Sequence, residues 1–283
     1  MVVLTSKKIK GNLLVSVILP AYNEEKHIGI CLDSLLKQSY TPIEIFIVDD
    51  ESQDKTAEIV RKYAPKVKLL QQKHSGPGAA WNLGFKHAKG EILLFWASDH
   101  IYGKDYIKDL AEPIIKGEAL RTVHAREKVA NFDKIWAMAW GSRDFRKLIE
   151  GGKKNASLTA RSLYEKSGGF DPKDGYADDQ SLFKKAPVYA KVVDTEMAHY
   201  NPESASETFA QGVWIGSSYK KPILIFLSLP FFFLYAILKS IKHFAPDPYL
   251  PFILFLPIFY TVKYFGYYYG AIRRVFFNKT TRL

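Results

Sequence analysis

The chain contains a single cysteine, Cys31, among 283 residues. One cysteine cannot form a disulfide within the chain, and so low a cysteine content is typical of proteins from a reducing compartment. Residues 1–10 contain lysines but no apolar core behind them, so we expect no signal peptide. No segment resembles a nucleic-acid-binding module, and the basic residues are spread along the chain, so we expect no nucleic-acid partner.

Acidic residues are scarce relative to basic ones: 29 Asp and Glu against 40 Lys and Arg give a formal net charge of +11. Without nucleic acid as a partner, this excess favours an anionic membrane surface or a phosphate-bearing substrate. Apolar residues make up 47% of the chain and aromatic residues 14%, so the chain can bury a sizeable core. Its length allows one large domain or two small ones.

Two long apolar segments lie near the C-terminus, in residues 222–241 and 249–272, and each contains one lysine and no other charge. Crossing a bilayer takes about 20 predominantly apolar residues. The pattern therefore predicts a transmembrane hairpin at 220–272, followed by a basic tail at 273–283. Basic pairs on both sides of the hairpin favour a cytoplasmic location for both ends, although lysines in the connecting loop oppose it. Two buried core helices, or a second segment broken into a re-entrant piece by its prolines, are the alternatives.

The N-terminal part alternates apolar runs with segments of helical periodicity. Strands are predicted at 15–25, 43–52, 67–72 and 91–98, the first and second running on into turns, and helices at 25–38, 55–63 and 75–88. This alternation predicts an α/β fold with a mostly parallel sheet flanked by helices. Ligands of such sheets bind at the carboxyl ends of the strands.

Polar residues follow three of these strands, at Asn23-Glu24, Asp49-Asp50 and Asp99-His100. A single aspartate after a strand is most often a turn residue or a helix cap. Several acidic residues at one edge of a sheet repel one another unless a cation or a hydrogen-bonding base lies between them. The sequence therefore predicts a ligand site at this edge.

Five segments resemble the GT-A domain of family 2 glycosyltransferases. They are VSVILPAYNEE, VDDESQDKT, GPGAAWNLG, the strand that ends at Asp99, and GGFDPKDGYADDQSLFKK, and together they span roughly residues 13–200. The resemblance implies a GT-A catalytic domain at 1–219, with a mixed, mostly parallel sheet, a nucleotide-sugar donor, and transfer with inversion that uses Mn²⁺ or Mg²⁺. The apolar hairpin resembles that of archaeal dolichyl-phosphate mannosyltransferases and, more distantly, of cellulose-synthase-like enzymes.

The resemblance also implies which residues bind the donor. They are Pro20, Ala21, Tyr22, Glu24, Asp50, Gly78, Ser98 and Asp99. Asp50 would hydrogen-bond the base or the ribose, and the Gly-rich turn before the helix at 75–88 would hold the diphosphate. Trp81 stands where the family commonly has arginine, so Lys73 or His74 would have to supply that charge.

The metal site departs from the family pattern. The family expects Asp-x-Asp at the end of the fourth strand, and this chain has Ala97 at the first position and Asp99 at the second. By resemblance, His199 is the preferred second ligand, and imidazole favours Mn²⁺ over Mg²⁺. His100 would point to the opposite side if the strand continued through it.

The resemblance assigns the catalytic step to Asp178-Asp179, where the family has Glu-Asp, with Asp179 taking the proton from the acceptor. Capping of the following helix is the alternative. The residues assigned to the acceptor are Arg121, Arg126, Asn155, Gln211 and Trp214. The two arginines would bind a phosphate. Val213 replaces the arginine of the Gln-x-x-Arg-Trp segment of processive synthases, which argues against a processive enzyme.

We therefore expect a multi-pass membrane enzyme with its catalytic domain in the cytoplasm. It would transfer a hexose, with mannose from GDP-mannose favoured, to dolichyl or polyprenyl phosphate or to a dolichyl-linked glycan. A UDP-sugar-dependent polysaccharide or glycolipid synthase is one alternative. A catalytically inactive membrane scaffold that binds nucleotide sugar is the other, since Ala97 and Trp81 depart from the family pattern.

Overall fold

The structure, a computed structural model, describes residues 13–141, 156–173, 180–218, 234 and 250–277. The chain divides into two compact units. The first comprises Met1–Lys128, Asp144–Pro172 and Asp178–His199, and the second comprises Val129–Arg143, Lys173–Ala177 and Tyr200–Leu283. The division differs from the predicted boundary at residue 219, because the helix that follows residue 204 packs within the second unit.

The first unit contains a sheet and the helices that flank it. Its strands are β1 (Val15–Ala21), β2 (Ile43–Asp49), β3 (Val67–Gln71), β4 (Ile92–Phe95), β5 (His100–Tyr102), β6 (Arg121–Val129), β7 (Leu158–Ala160) and β8 (Lys191–His199). Its helices are α1 (Ile28–Leu36), α2 (Thr56–Arg61), α3 (Pro77–His87), α4 (Tyr106–Ile115), α6 (Arg161–Ser167) and α7 (Ser181–Lys185). The predicted elements of the N-terminal part are all present, with ends shifted by a few residues.

The sheet is mixed, with the strand order β3-β2-β1-β4-β7-β6-β8-β5. Strands β1 to β4 are parallel to one another where they pair, and β7 runs antiparallel to both β4 and β6. Strand β5 pairs antiparallel with β8, so that His100 lies opposite His199. The predicted α/β fold with a mixed sheet flanked by helices is confirmed, but the sheet is parallel only from β3 to β4, and its antiparallel half supplies the metal-site candidates.

The parallel half of the sheet has apolar side chains on both faces, which explains why its strands read as continuous apolar runs. On one face, residues of β1 such as Val17 and Leu19 pack with Leu32 and Leu35 of α1. On the other face, Ile18 packs with Phe95 and the aromatic residues around it. This burial fixes the strand ends that carry the polar clusters.

The second unit contains α5 (Ile135–Gly141), α8 (Ala205–Ser217) and α9 (Leu250–Phe277). Helices α8 and α9 approach each other through glycines at positions four residues apart: Gly212 and Gly216 on α8, and Gly266 and Gly270 on α9. A Cβ at Gly216 would lie 2.2 Å from the Tyr267 carbonyl oxygen, and one at Gly270 would lie 2.1 Å from the Val213 carbonyl oxygen. The two backbones are therefore in direct contact.

Among the residues that the structure describes, no helix has both the length and the apolar character that crossing a bilayer requires. The transmembrane hairpin predicted at 220–272 is therefore not supported. Apart from Leu234, residues 222–241 lie outside the described part of the chain. Most of 249–272 forms α9, in which tyrosines, glycines and Lys263 lower the mean hydropathy.

Candidate functional site

The loops after β1 and β2 hold each other through reciprocal hydrogen bonds. The Asn23 backbone N–H donates to Ser52 Oγ at 3.0 Å, and the Asn23 side-chain oxygen accepts from the Gln53 N–H at 2.8 Å. Glu25 and Asp54 make a similar contact, since the Glu25 N–H donates to Asp54 Oδ2 at 3.0 Å. These bonds fix the loop that carries three of the predicted donor-binding residues, Ala21, Tyr22 and Glu24.

Glu24 and Pro20 occupy defined positions at this edge. Glu24 is buried, its backbone N–H donates to Thr56 Oγ1 at 2.8 Å, and its carboxylate lies 3.4 Å from His27 Nδ1. The Pro20 carbonyl accepts a hydrogen bond from Ser98 Oγ at 2.8 Å. The ends of β1 and β4 are thus joined, which brings predicted donor-binding residues from both strands together.

Asp50 is buried at the end of β2, and both of its oxygens accept hydrogen bonds from the loop after β3. Oδ1 accepts from Gln72 Nε2 at 2.7 Å and from the Ser75 N–H at 2.8 Å. Oδ2 accepts from the Gly76 N–H at 2.9 Å and lies 2.9 Å from His74 Nδ1. A carboxylate has about four lone-pair sites, and these three hydrogen bonds and the His74 contact occupy most of the Asp50 carboxylate. The geometry supports a role in holding this loop and gives no support to direct reading of the nucleobase.

The loop held by Asp50 leads into α3 and places an aromatic pair beside the site. Gly76 has a φ of 86°, a conformation that favours glycine, and Pro77 begins the helix. The Tyr22 and His74 rings stack with their centroids 4.3 Å apart. His74 is therefore tied to Asp50 and Tyr22, which fits a role at the donor site.

Trp81 belongs to the core. Its side chain is 7% exposed, its ring packs 4.7 Å from that of Phe170, and its indole N–H donates to the Trp96 carbonyl at 3.1 Å. This bond anchors the backbone just before Ala97, Ser98 and Asp99. The residue that replaces the family's arginine thus supports the strand end from within the core.

Asp99 lies between two imidazoles. Its Oδ1 is 2.7 Å from His100 Nδ1, and its Oδ2 is 3.2 Å from His199 Nε2. The two imidazole rings stack at 4.2 Å with an angle of 9° between their planes. The condition under which His100 would point away from Asp99 is not met, because β4 ends at Phe95 and the chain turns before β5 begins at His100. The alternation of a continuous strand does not apply across that turn.

Glu127 and His124, on β6, extend this cluster. Glu127 Oε1 lies 2.9 Å from His199 Nδ1, and Glu127 Oε2 lies 3.7 Å from His124 Nε2. His124 Nδ1 in turn lies 3.0 Å from the Tyr106 hydroxyl. Neither residue was predictable from the sequence, because their positions beside His199 depend on the place of β6 next to β8 in the sheet.

The cluster is strongly polarised. Burial alone would lower the pKa of His199, but the nearby Asp99 and Glu127 carboxylates outweigh burial and raise it to about 10. Burial alone would raise the pKa values of Asp99 and Glu127, but bonds and charges from the histidines hold both well below their usual range. Burial lowers the pKa of His100. His199 therefore carries a positive charge between two carboxylates.

Asp99, His100 and His199 also fit a divalent cation. One ligand atom from each lies within 4.8 Å of the others. Asp99 Oδ1 and His100 Nδ1 are close, yet neither is aligned for a hydrogen bond, so both are buried polar atoms without a well-directed partner. A carboxylate with an imidazole is a donor set that suits Mn²⁺. The predicted ligands Asp99 and His199 are thus brought together.

The described residues among those predicted to bind the acceptor belong to both units. Arg121 is 1% exposed and donates to the Val188 carbonyl at 2.8 Å, so it does not present its charge at the surface, and the predicted phosphate-binding role is not supported. Arg126 is exposed and pairs with Asp194 and Glu196. Gln211 and Trp214 lie on α8 in the second unit. The predicted Asn155, Asp178 and Asp179 lie outside the described residues.

Comparison of the sequence with known proteins identifies a family. The sequence profile described as "Glycosyl transferase family 2" matches residues 16–170, more than half of the chain. Poly(ribitol-phosphate) beta-N-acetylglucosaminyltransferase TarS of Staphylococcus aureus is 44% identical over 102 residues, which are 34% of this chain and 18% of TarS. Glycosyltransferase GlyA of Streptococcus pneumoniae is 33% identical over 108 residues, 37% of this chain and 16% of GlyA. The match thus spans less than a fifth of either protein.

Solved structures share the fold. TarS 1-349 in complex with UDP-GlcNAc superimposes with a TM-score of 0.57 at 20% identity, covering 92% of this chain and 91% of that one. The mannosyltransferase PcManGT from Pyrobaculum calidifontis, in complex with GDP-Man and Mn2+, gives a TM-score of 0.59 at 18% identity, covering 95% of this chain and 89% of that one. At these identities the likeness establishes the fold.

Proposed function

Because the chain belongs to glycosyltransferase family 2, we propose that it is a metal-assisted transferase that moves a hexose, with inversion, from a nucleoside-diphosphate sugar to a lipid-borne acceptor. One observation carries the proposal: Asp99 Oδ2 and His199 Nε2 lie 3.2 Å apart beside the loops after β1 and β2. A charged carboxylate–imidazole pair at this edge is the chemistry that a metal–diphosphate leaving group requires.

The residues at this edge of the sheet have separate roles in binding the donor and the metal. Tyr22, stacked on His74, offers an aromatic face to the nucleobase, and Asp50 holds the 72–76 loop in place. Asp99 and His199 would hold Mn²⁺, with Mg²⁺ as the alternative. The bound ion would offset the negative charge that develops on the departing diphosphate.

On the acceptor side, the family resemblance supports Asp179 as the residue that takes the acceptor proton, with Asp178 beside it. A phosphate acceptor is already an anion and needs little help from a base. Arg126, exposed on β6, is then the more accessible cation for such a phosphate. Asn155, Gln211 and Trp214 remain proposals for contacts with the acceptor.

For the donor we propose GDP-mannose, with dolichyl or polyprenyl phosphate, or a dolichyl-linked glycan, as acceptor. A structural neighbour that covers most of both chains was solved with GDP-Man and Mn2+, which supports this choice by analogy of fold alone. A UDP-sugar is the second candidate, favoured by the 44% identity with TarS over 102 residues.

The test is release of nucleoside diphosphate from GDP-mannose and from UDP-GlcNAc. The full chain is assayed in detergent with dolichyl phosphate, with Mn²⁺ or with chelator. We expect release that requires GDP-mannose, lipid and metal and that falls at least about a hundredfold in Asp99→Asn, as for loss of a group that stabilises a leaving group. Asp109→Asn, which makes the same charge change on α4, is the control and should match wild type.

Other outcomes of this assay reject specific parts of the proposal. Turnover of UDP-GlcNAc alone would reject GDP-mannose and favour the UDP-sugar synthase. Equal turnover under chelator would reject the metal. No turnover with either donor, together with retained nucleotide binding, would favour the inactive scaffold.

We further propose that the protein works at a cytoplasmic membrane surface and that α9 contacts the lipid. Five of the seven exposed large apolar side chains described on this helix fall on one face, at Ile258, Phe265, Tyr269, Ile272 and Phe276, and the other two, Val275 and Phe277, lie at its C-terminal end. The net charge of +11 favours an anionic bilayer. An exposed apolar helix face next to a basic surface is typical of proteins that lie on a membrane.

The membrane proposal is tested by sedimentation with vesicles of phosphatidylcholine and phosphatidylglycerol. Phe265→Ser combined with Tyr269→Ser should lower the bound fraction severalfold. Tyr189→Ser removes an aromatic ring that is 55% exposed in the first unit and should change nothing. Equal loss in both variants, or no loss in either, would reject α9 as the lipid-contacting surface.

A further inference from the structure

Two imidazoles lie beside the Asp99 carboxylate, and their outer nitrogens face partners of opposite kind. His100 Nε2 lies 3.1 Å from the indole nitrogen of Trp96. His199 Nδ1 lies 2.9 Å from Glu127 Oε1. An indole N–H can only donate a hydrogen bond, whereas a carboxylate can only accept one. The outer nitrogen of His100 therefore accepts a hydrogen bond, whereas the outer nitrogen of His199 donates one.

We propose that Trp96 and Glu127 are positioning residues that decide which of the two histidines binds the divalent cation. His199 binds it together with Asp99, and His100 does not. This inference rests on the proposed metal-assisted transfer and assigns the second ligand of its metal site.

Trp96 prevents His100 from acting as a metal ligand. Because the indole N–H donates to Nε2, the single proton of a neutral imidazole sits on Nδ1, the nitrogen that faces Asp99 at 2.7 Å. A cation could bind His100 Nδ1 only if this proton moved to Nε2, the nitrogen that accepts from the indole. The opposite tautomer would free Nδ1 but would set two N–H groups against each other at 3.1 Å. His100 therefore turns an N–H, and no lone pair, towards Asp99.

Glu127 selects the nitrogen of His199 that serves as ligand. Its Oε1 accepts a hydrogen bond from Nδ1–H at 2.9 Å, so a cation that binds the charged ring would displace the proton of Nε2, which lies 3.2 Å from Asp99 Oδ2. A carboxylate behind a metal-binding histidine fixes its tautomer and ring orientation. Glu127 faces His124, whose Nδ1 lies 3.1 Å from Ser157 Oγ, so the support continues into buried residues.

Mn²⁺ affinity of the full chain tests the assignment without any turnover, by electron paramagnetic resonance of free Mn²⁺ in the presence of GDP. Glu127→Gln should weaken Mn²⁺ binding about 10- to 100-fold, the usual effect of losing such a partner. His199→Gln should weaken it at least as much. His100→Asn, which keeps an N–H donor near Asp99, should stay within about threefold of wild type, since it removes no metal ligand.

Glu118→Gln provides the matched control for Glu127→Gln. It makes the same charge change at an exposed pair with Lys191 and should leave Mn²⁺ affinity unaltered. Equal weakening by His100→Asn and His199→Gln would overturn the assignment. So would an unchanged affinity in Glu127→Gln. Thermal unfolding of each variant separates loss of metal binding from loss of fold.

A double-mutant cycle tests Trp96 directly. Trp96→Phe removes the donor to Nε2 and frees His100 to adopt the other tautomer. His100→Asn should then weaken Mn²⁺ binding severalfold in the Trp96→Phe background while leaving the wild-type background nearly unchanged. Trp136→Phe, an indole in the second unit, is the control background and should show no such coupling. Equal effects of His100→Asn in all backgrounds would overturn the role of Trp96.

Nitrogen-15 chemical shifts of the histidines in the metal-free protein give an independent readout. His100 should report a neutral ring protonated at Nδ1, and the Nε2-protonated form would overturn the inference. A protein that binds no Mn²⁺ even with GDP would reject the metal-assisted function. The histidine shifts would still test the two tautomers, so the two failures are distinguishable.

Discussion

His100 and His199 are cross-strand neighbours, and their rings stack face to face 4.2 Å apart. The register of the antiparallel β5–β8 pair places both imidazoles on the same side of the sheet, where both reach Asp99. The two neighbouring histidines have different outer partners and can therefore interact with the Asp99 carboxylate in different ways. The chemistry of the site depends on this pairing across the sheet.

The His199 charge should make the metal-free protein less stable at alkaline pH. The pKa of His199 in the folded chain is about 10, above its ordinary value of 6.5. Its contribution to the free energy of unfolding is therefore fully present below pH 6.5 and is lost as pH rises towards 10. Each pKa unit corresponds to about 1.4 kcal/mol at most. Urea unfolding in chelator, at about pH 6 and about pH 9, should show a larger loss of stability for wild type than for His199→Gln.

That comparison includes its own control. Buried Cys31, Tyr102 and Tyr106 also have raised pKa values, mainly because of burial, and they weaken the fold at alkaline pH. Their effect is common to wild type and variant and cancels in the difference. Equal losses in the two proteins between the two pH values would contradict the charged state assigned to His199.

Trp81→Arg, which restores the residue commonly found in the family, should destabilise this chain by several kcal/mol, since it buries an unpaired charge. Trp81 packs against Phe95 and Phe170, and its indole bonds to the Trp96 carbonyl. Trp81→Phe keeps most of the packing and should cost only about 1–3 kcal/mol. Urea unfolding midpoints measure both. A Trp81→Arg variant as stable as wild type would show that this site accommodates the charge.

Much of the fold follows from local patterns. The apolar runs that form β1 to β4 alternate with segments of helical periodicity, so the parallel half of the sheet was predictable. The edge at which Asp50 and Asp99 lie followed from the rule for parallel strands. These features depend on neighbouring residues in the chain.

The antiparallel half was not predictable in the same way. The contacts among Asp99, Glu127 and His199 join the turn between β4 and β5 to residues of β6 and β8, and the register of these strands is set by packing over the whole sheet. The contact between Trp96 and His100 was not predictable either, because it depends on the turn between β4 and β5, which brings His100 back to the Trp96 indole. The membrane prediction used apolar content alone, which does not register the close glycine packing of α8 on α9.

Asp50→Asn should weaken binding of GDP and UDP by the same factor, at least about tenfold. The amide keeps one acceptor oxygen and turns its NH₂ towards backbone N–H donors, so the 72–76 loop loses part of its support. If Asp50 read the base, the substitution would change the ratio of the two affinities. Calorimetric titration of both nucleotides, with Asp109→Asn as control, measures that ratio. A marked change in the ratio would contradict the role in holding the loop.

Gly216→Ala should destabilise the second unit by about 1–3 kcal/mol, the usual cost of overpacking. Its Cβ would lie 2.2 Å from the Tyr267 carbonyl oxygen, and a carbonyl cannot move without shifting α9. Gly29→Ala, on α1, is the matched control because its Cβ would meet only ordinary contacts, at 3.6 Å from the Tyr63 hydroxyl. That control should stabilise the protein by up to about 1 kcal/mol, since alanine favours helix more than glycine does. Opposite signs in urea unfolding would establish that α8 and α9 touch through their backbones. A Gly216→Ala variant with wild-type stability would mean that the helices lie farther apart, leaving room for the added methyl group.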